Sequence, residues 1–199
     1  MNIPIPAMKF TPVYLIIFIT FAIFLGGCVV GYQPMTSLER NAFKNARLDV
    51  YPQDVKSNLS QFKNEDIAWI GIIQESEFYE ENSRYEIVLL LEHRYFDWKV
   101  DRTGSPNLLF PSTEGEGLFQ TRWYLKKDAD LEYFMNRFEP GNLGIVYATP
   151  DTVIDDVVLV SADYIRVIDK GFFRADQVYY IPEDAMDHQR KKYSPKPQN

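Results

Sequence analysis

Cysteine and histidine are scarce in this sequence, whose 199 residues include one cysteine and two histidines. A single thiol excludes an intramolecular disulfide framework and any multi-cysteine zinc site. Positive charge is also limited, because 21 Lys and Arg stand against 28 Asp and Glu, which leaves a formal charge of −7. Since nucleic-acid binding requires a basic surface that neutralises phosphates, we expect no nucleic-acid partner.

Hydrophobic residues, by contrast, are plentiful. They make up 46% of the chain, and aromatic residues make up 15%. Such a composition can close a core and differs from that of disordered or collagen-like chains. The length suits one domain of ordinary size with a terminal extension.

The N-terminal residues have the pattern of a secretory signal peptide. Lys9 precedes the apolar run Val13–Leu25, and Gly26 and Gly27 follow it. A charged start, an apolar stretch and a small-residue cleavage site are the three parts of such a signal. A membrane-spanning helix is the alternative, because the uncharged stretch Val13–Val30 is just long enough to cross a bilayer. The glycine pair, with no Lys/Arg cluster behind it, favours the signal peptide.

The lone cysteine ends this segment, and Leu25-Gly26-Gly27-Cys28 resembles the bacterial lipobox of an aliphatic residue, two small residues and a cysteine. The resemblance implies that residues 1–27 are removed and that the Cys28 thiol takes a diacylglyceryl group through a thioether. The freed amine then takes a third acyl chain. Because two or more acyl chains give lasting attachment, we expect acylated Cys28 to anchor the protein to a lipid bilayer.

The two residues that follow Cys28 indicate the membrane to which the protein is sorted. Val29 and Val30 stand where many inner-membrane lipoproteins have a retaining aspartate. By that resemblance, we expect a lipid-anchored protein of the outer membrane whose domain faces the periplasm.

The rest of the chain reads as strands with a few helices. Thr36-x-x-Glu39 matches a capping box, which predicts a helix over Leu38–Arg47, and a further helical stretch is predicted over Asp54–Phe62. Apolar and alternating residues predict five strands, at Asp66–Gln74, Arg84–Tyr95, Gly117–Leu125, Asn142–Thr149 and Val157–Ile168. An exposed loop is predicted at Glu75–Ser83, and a turn at Thr149–Asp151.

One more helix is predicted over Asp130–Phe138, where four apolar residues fall on one stripe. The order of three strands, a helix and two strands resembles the oligonucleotide/oligosaccharide-binding (OB) fold. We therefore expect a mainly β protein, an OB-like five-stranded antiparallel barrel with one helix between strands 3 and 4. A helix-covered antiparallel sheet of another topology has the same linear order and is the alternative.

These elements divide the chain into four segments. Residues 1–27 are the signal peptide, and residues 28–62 are a tether with short helices. Residues 63–170 form the barrel domain. Residues 171–199 hold a C-terminal strand over Phe172–Ile181, a short helix over Glu183–Lys192 and a mobile polar tail.

Residues suited to catalysis are few. No Gly-x-Ser-x-Gly elbow occurs, and acylation would remove the thiol as a nucleophile. His93 is the one plausible base in the body of the domain, but it ends an apolar strand face and is interpreted as a structural, hydrogen-bonded histidine. The acidic residues lack the spacing of a calcium loop. We expect no catalytic residues, no metal site and no cofactor.

Three tryptophans offer a binding interpretation. Trp69 and Trp123 are predicted to fill the barrel, where aromatic burial stabilises most. Trp98 lies in the polar stretch Phe96–Asp101 and is the candidate for surface contact with a ligand, such as a sugar ring of peptidoglycan.

Several short motifs resemble the Slp (starvation lipoprotein) family of Gram-negative outer-membrane lipoproteins. Besides the lipobox, they are Trp69-Ile70-Gly71-Ile72-Ile73, Tyr85-Glu86-Ile87-Val88, Glu116-Gly117-Leu118-Phe119 and Glu139-Pro140-Gly141-Asn142-Leu143. The family usually has Trp-Gly-Gly where Trp69-Ile70-Gly71 stands here, so the chain resembles a diverged member. The resemblance implies an envelope lipoprotein with no assigned enzymatic activity.

Together these features predict an outer-membrane-anchored lipoprotein with a non-catalytic β-barrel that acts as a binding or scaffold module. Its expected partners are the bilayer and other envelope proteins or peptidoglycan. A tethered hydrolase or binder of envelope glycans is the alternative.

Overall fold

The computed structural model describes residues 32–81, 83–98 and 109–173. Cys28, the signal segment, the predicted helix Glu183–Lys192 and all but the first two residues of the predicted strand Phe172–Ile181 lie outside these ranges. Within them, no helix is long and apolar enough to span a membrane.

Five strands and four short helices are described. The strands are β1 Ile67–Glu80, β2 Arg84–Arg94, β3 Leu118–Lys126, β4 Leu143–Ile154 and β5 Val157–Ile168. The helices are α1 Ser37–Asn45, α2 Pro52–Ser57, α3 Leu59–Phe62 and α4 Leu131–Arg137, and a 3-10 turn covers Lys170–Phe172.

The strands close into a barrel in the order β1-β2-β3-β5-β4. The predicted OB-like barrel is therefore confirmed, with α4 between β3 and β4. One detail differs from a fully antiparallel barrel, because β3 and β5 are parallel, with Phe119 opposite Val158. A closed ring of five strands requires this, since strand directions can alternate all the way round only when their number is even.

The first hairpin is longer than predicted. The expected loop Glu75–Ser83 is wrong, because β1 continues to Glu80 and pairs with β2 as far as Tyr85. A bulge between Ile73 and Glu75 shifts the register. Beyond it Glu75 and Glu77 lie on the outer face, opposite to Phe78, which packs against the core. The charge of this segment concealed its two-residue period.

The expected turn at Thr149–Asp151 is also wrong. β4 passes through Pro150, which lies opposite Val160 next to a register shift, where the missing N–H of proline is tolerated. The chain turns instead at Asp155 and Asp156, whose φ angles of 49° and 66° suit a two-residue hairpin turn.

The barrel interior is apolar and follows the strand alternation. On β2, Ile87, Leu89 and Leu91 point inward and are fully buried, as their spacing predicts. Phe62 of α3 and Phe138 behind α4 pack against the same core. The two helical regions therefore cover the barrel without adding a second domain.

A second apolar layer covers the outside of β1, β4 and β5. Tyr32, Phe43 and Trp98 pack there against Ile145 and Tyr147. The Tyr32 N–H also donates to the carbonyl oxygen of Trp98 at 3.0 Å. The region predicted as tether and short helices is thus part of the domain from Tyr32 onward, because its aromatic side chains complete this layer.

Two glycines allow the interior to close. Gly71 of β1 lies directly opposite Gly144 of β4. A Cβ on Gly71 would lie 2.9 Å from both the Leu91 Cβ and the Phe119 Cε1, closer than real contacts allow. Leu91 and Phe119 therefore occupy the space that larger residues would need.

We predict that Gly71→Ala lowers the free energy of unfolding by about 1–3 kcal/mol, because overpacking a tight core forces its neighbours to move. Urea unfolding followed by circular dichroism measures the change. Gly171→Ala is the matched control, since its added Cβ meets nothing within 4 Å. Equal losses in the two variants would contradict this account.

Candidate binding face

The outer surface of β1, β2 and β3, termed the open face, carries three rows of side chains across the strands, polar or aromatic except for Val88 and Leu90 on β2. The rows are Tyr79–Glu86–Tyr124, Glu77–Val88–Arg122 and Glu75–Leu90–Gln120. Cross-strand neighbours in such rows lie close enough to interact. In OB folds, the surface of strands 2 and 3 is the part that binds oligosaccharides or oligonucleotides.

The first row is held by contacts around Glu86. The Tyr124 hydroxyl donates to Glu86 Oε1 at 3.2 Å, and Arg122 Nε lies 3.8 Å from the same oxygen. The guanidinium carbon of Arg84 lies 3.8 Å from the centroid of the Tyr124 ring. On β1, the Tyr79 hydroxyl is hydrogen-bonded to Glu77 at 2.5 Å.

Both tyrosines on this row keep their protons. The hydrogen bond to Glu77 raises the pKa of Tyr79, and partial burial followed by the charge of Glu86 raises the pKa of Tyr124. The two residues are 48% and 38% exposed, respectively. The open face therefore presents two aromatic rings, carboxylate acceptors and guanidinium donors, a combination that suits a ligand with many hydroxyl groups.

His93 lies inside the barrel and is buried, as expected for a structural histidine. Its Nδ1 accepts the Glu116 N–H at 3.1 Å, and its ring packs edge-on against Trp69 and Phe119. Burial, followed by the charge of Arg94, lowers the pKa of His93 to about 3. The neutral imidazole orders the loop before β3.

Trp98 is not at the surface, which corrects the expectation that it is an exposed ligand contact. It is 8% exposed, and its ring meets those of Tyr32, Phe43 and Phe96 at centroid distances of 5.3, 5.7 and 5.0 Å. The polar residues around it in the sequence concealed its role, which is to fill the second apolar layer.

The other two tryptophans differ from each other. Trp69 is buried in the barrel as predicted, and its Nε1 donates to the carbonyl oxygen of Val50 at 2.7 Å. Trp123 packs against Phe134 and Phe138 but is only partly buried. It lines a groove between β5 and α4.

The acidic residues weighed as catalytic or calcium-binding candidates are dispersed. Glu116 accepts from the Tyr95 hydroxyl and the Gln53 N–H, both at 2.8 Å, and so ties the loop before β3 to α2. Asp156 pairs with Lys56 at 3.0 Å. Among the described residues, no group of three or more His, Cys, Asp or Glu could hold a metal ion.

A buried polar cluster, termed the Glu39 clamp, is not predicted by the sequence. It consists of Tyr32, Glu39, Tyr147 and Arg166. The Tyr32 and Tyr147 hydroxyls both donate to Glu39 Oε1, the second at 3.2 Å, and Arg166 Nη1 lies 3.5 Å from that oxygen. Arg166 also donates to the Tyr32 oxygen at 2.8 Å. Burial raises the pKa of both tyrosines, so they remain donors.

The capping motif gave a partial signal for this cluster. The Thr36 hydroxyl accepts the Glu39 N–H at 3.0 Å, as predicted for the start of α1. The Glu39 side chain turns back to the Met35 N–H at 2.7 Å and is fully buried. Its barrel partners Tyr147 and Arg166 lie more than a hundred residues away, in β4 and β5, and no local pattern indicates them.

We predict that Glu39→Gln lowers the free energy of unfolding by about 3–5 kcal/mol, because it leaves the buried guanidinium of Arg166 without its counter-ion. The double substitution Glu39→Leu with Arg166→Met should recover part of that loss, since it removes both charges. Urea unfolding of the three chains measures both effects.

Asp49→Asn provides the control, since it weakens the more exposed Arg47–Asp49 pair and should cost about 0–1 kcal/mol. If Glu39→Gln costs no more than Asp49→Asn, the clamp does not hold the N-terminal segment.

Comparison with protein-family models and with curated proteins gives no match to this chain. The resemblance to the Slp family therefore stays a prediction drawn from short motifs.

Proposed function

We propose that this chain is an outer-membrane-anchored lipoprotein whose barrel acts as a non-catalytic binding or scaffold module in the cell envelope. The lipobox Leu25-Gly26-Gly27-Cys28, placed directly behind the apolar run Val13–Leu25, carries this proposal. A thioether-linked diacylglyceryl group at Cys28 would then be the attachment to the bilayer.

The first residue that the structure describes supports an anchor at this position. Tyr32 is buried and belongs to the second apolar layer. Four residue steps separate it from Cys28, and each extended step spans at most about 3.6 Å, so the two Cα atoms lie within about 14 Å of each other. A lipidated Cys28 would thus hold the domain directly at the membrane surface.

A binding role fits the described residues better than a catalytic one. His93, the one base singled out in the sequence, is buried among aromatic rings, where its Nδ1 already accepts a backbone N–H. The open face, in contrast, presents its rings and charges at the surface. This arrangement can hold a ligand without any activated nucleophile.

We predict that Cys28→Ala abolishes incorporation of a labelled fatty acid into the protein in Gram-negative cells, because the acceptor thiol is removed. Labelling is measured on the immunoprecipitated chain. Label that persists in Cys28→Ala, or that is missing from the unaltered chain, would refute the proposed anchor. Val29→Asp is the matched control, since it should keep the label but retain the protein at the inner membrane.

A second candidate function is binding of envelope glycan by the open face. The row Tyr79–Glu86–Tyr124 supports it, because two exposed rings flank a carboxylate that can accept hydrogen bonds from sugar hydroxyls. Tyrosine rings pack against the C–H faces of sugars, and this OB surface is one that binds oligosaccharides in other proteins.

We predict that the mature chain sediments with purified peptidoglycan and that Tyr79→Ala with Tyr124→Ala weakens this binding about tenfold, since each ring contributes about 0.5–1.5 kcal/mol beyond the area it buries. Tyr133→Ala is the control, because Tyr133 is also exposed, at 53%, but lies on α4. Equal binding by both variants would remove the open face as the glycan site. Release of soluble sugar in the same assay would instead support a hydrolase.

A further inference from the structure

A groove of about 880 Å³ lies between the start of α1, helix α4 and the second half of β5, and is termed the β5 groove. Large apolar side chains form its rim. Met35, Leu38, Tyr133 and Phe172 are 60%, 68%, 53% and 54% exposed, respectively. Exposed apolar residues gathered around one concavity mark a contact surface rather than ordinary scattered exposure.

The barrel topology explains why this groove exists. The parallel pairing of β3 with β5 ends at Trp123 and Ala162. β5 continues along β4 to Ile168, while β3 ends at Lys126 and the chain passes into α4. The gap between β3 and β5 leaves apolar side chains, including Trp123, accessible from outside.

The edge of β5 in this gap is partly covered. Arg137 of α4 donates to the carbonyl oxygen of Val167 at 2.6 Å and lies 3.6 Å from Asp169. These contacts pair the guanidinium of Arg137 and the Val167 carbonyl oxygen at one end of the groove, and Arg166 is held in the Glu39 clamp. Asp163 also lines the groove and is exposed, but the large exposed side chains of the rim are apolar.

The groove also lies close to the proposed anchor. Met35 and Leu38 follow Tyr32 by a few residues, and Tyr32 is within about 14 Å of Cys28 by chain length. The Glu39 clamp holds this part of the rim, since the Met35 N–H donates to Glu39 at 2.7 Å. If the protein is anchored through Cys28, the bilayer is therefore the surface nearest to the apolar rim.

We propose that the β5 groove is a second membrane-contact site, which rests on the proposed anchor for its place at the bilayer. Its rim side chains enter the boundary between headgroups and acyl chains, and its apolar floor takes up part of a phospholipid acyl chain. Burial of apolar side chains drives this contact. Because the chain carries a formal charge of −7, anionic lipid should not strengthen it.

The test uses the mature chain from residue 28 with Cys28→Ser, so that no acyl anchor contributes and every described residue is present. Flotation with phosphatidylcholine vesicles measures its partition coefficient. Binding is expected, with little change between low and high salt. Leu38→Ser with Phe172→Ser should lower the partition coefficient about tenfold, because both rim contacts are lost.

Ile154→Ser is the matched control, since Ile154 is 52% exposed but lies at the opposite end of the β4–β5 hairpin. It should partition like the parent chain. Urea unfolding of each variant shows that any loss of binding is not a loss of folding.

Entry of an acyl chain has its own readout. Trp123 lines the groove, whereas Trp69 and Trp98 are buried. Vesicles with brominated acyl chains should quench the fluorescence of Trp123, and the quenching should disappear in Trp123→Phe.

Absence of flotation, or equal flotation of the rim and control variants, would overturn the proposal. So would a dimer in sedimentation equilibrium that the rim substitutions dissociate, because a second copy would then be the occupant. The vesicle experiment and the Cys28 labelling experiment test the membrane-contact site and the anchor separately. Failure of Cys28 labelling together with vesicle binding refutes the anchor alone, and labelling without vesicle binding refutes the membrane-contact site alone.

Discussion

The placement of the N-terminal segment depends on one buried interaction, the ion pair between Glu39 and Arg166. Burying two charges is unfavourable unless each is paired and hydrogen-bonded, and Tyr32 and Tyr147 supply the remaining hydrogen bonds here. Because Glu39 lies in α1 while Tyr147 and Arg166 lie in the barrel, the clamp attaches the segment to the outside of β4 and β5. This attachment makes Tyr32, the first residue that the structure describes, part of the folded domain.

The closed barrel imposes a second constraint. Five strands in a ring require at least one parallel pair, and here that pair is β3 and β5. The pair separates after Trp123, because β3 must reach α4 while β5 stays with β4. The β5 groove follows from this separation, and the open face follows from the continuous pairing of β1, β2 and β3 on the other side of β3.

Local patterns were enough to predict much of this fold. The alternation along β2 and the apolar stripe of α4 each report on a few neighbouring residues, and both elements were predicted within one or two residues. The wrong predictions concern residues whose structure is determined by contacts with residues far away in the sequence. The segment with four glutamates was predicted as a loop because its pairing with β2 is not visible locally. Trp98 was predicted to be exposed because its sequence neighbours are polar, whereas in the fold Tyr32 and Phe43 cover it. The Glu39–Arg166 pair joins residues 127 positions apart, beyond any local signal.

The two proposed contacts are compatible because they lie on different parts of one barrel. The open face is centred on β2, and the β5 groove lies beyond β3. If the rim around Leu38 rests on the bilayer, β2 is two strand positions round the barrel from the lipid and remains accessible to a ligand. With the proposed anchor at Cys28, less than about 14 Å from Tyr32 by chain length, the domain would have little freedom to present another side. The short connection and the clamp would then set the orientation of the open face.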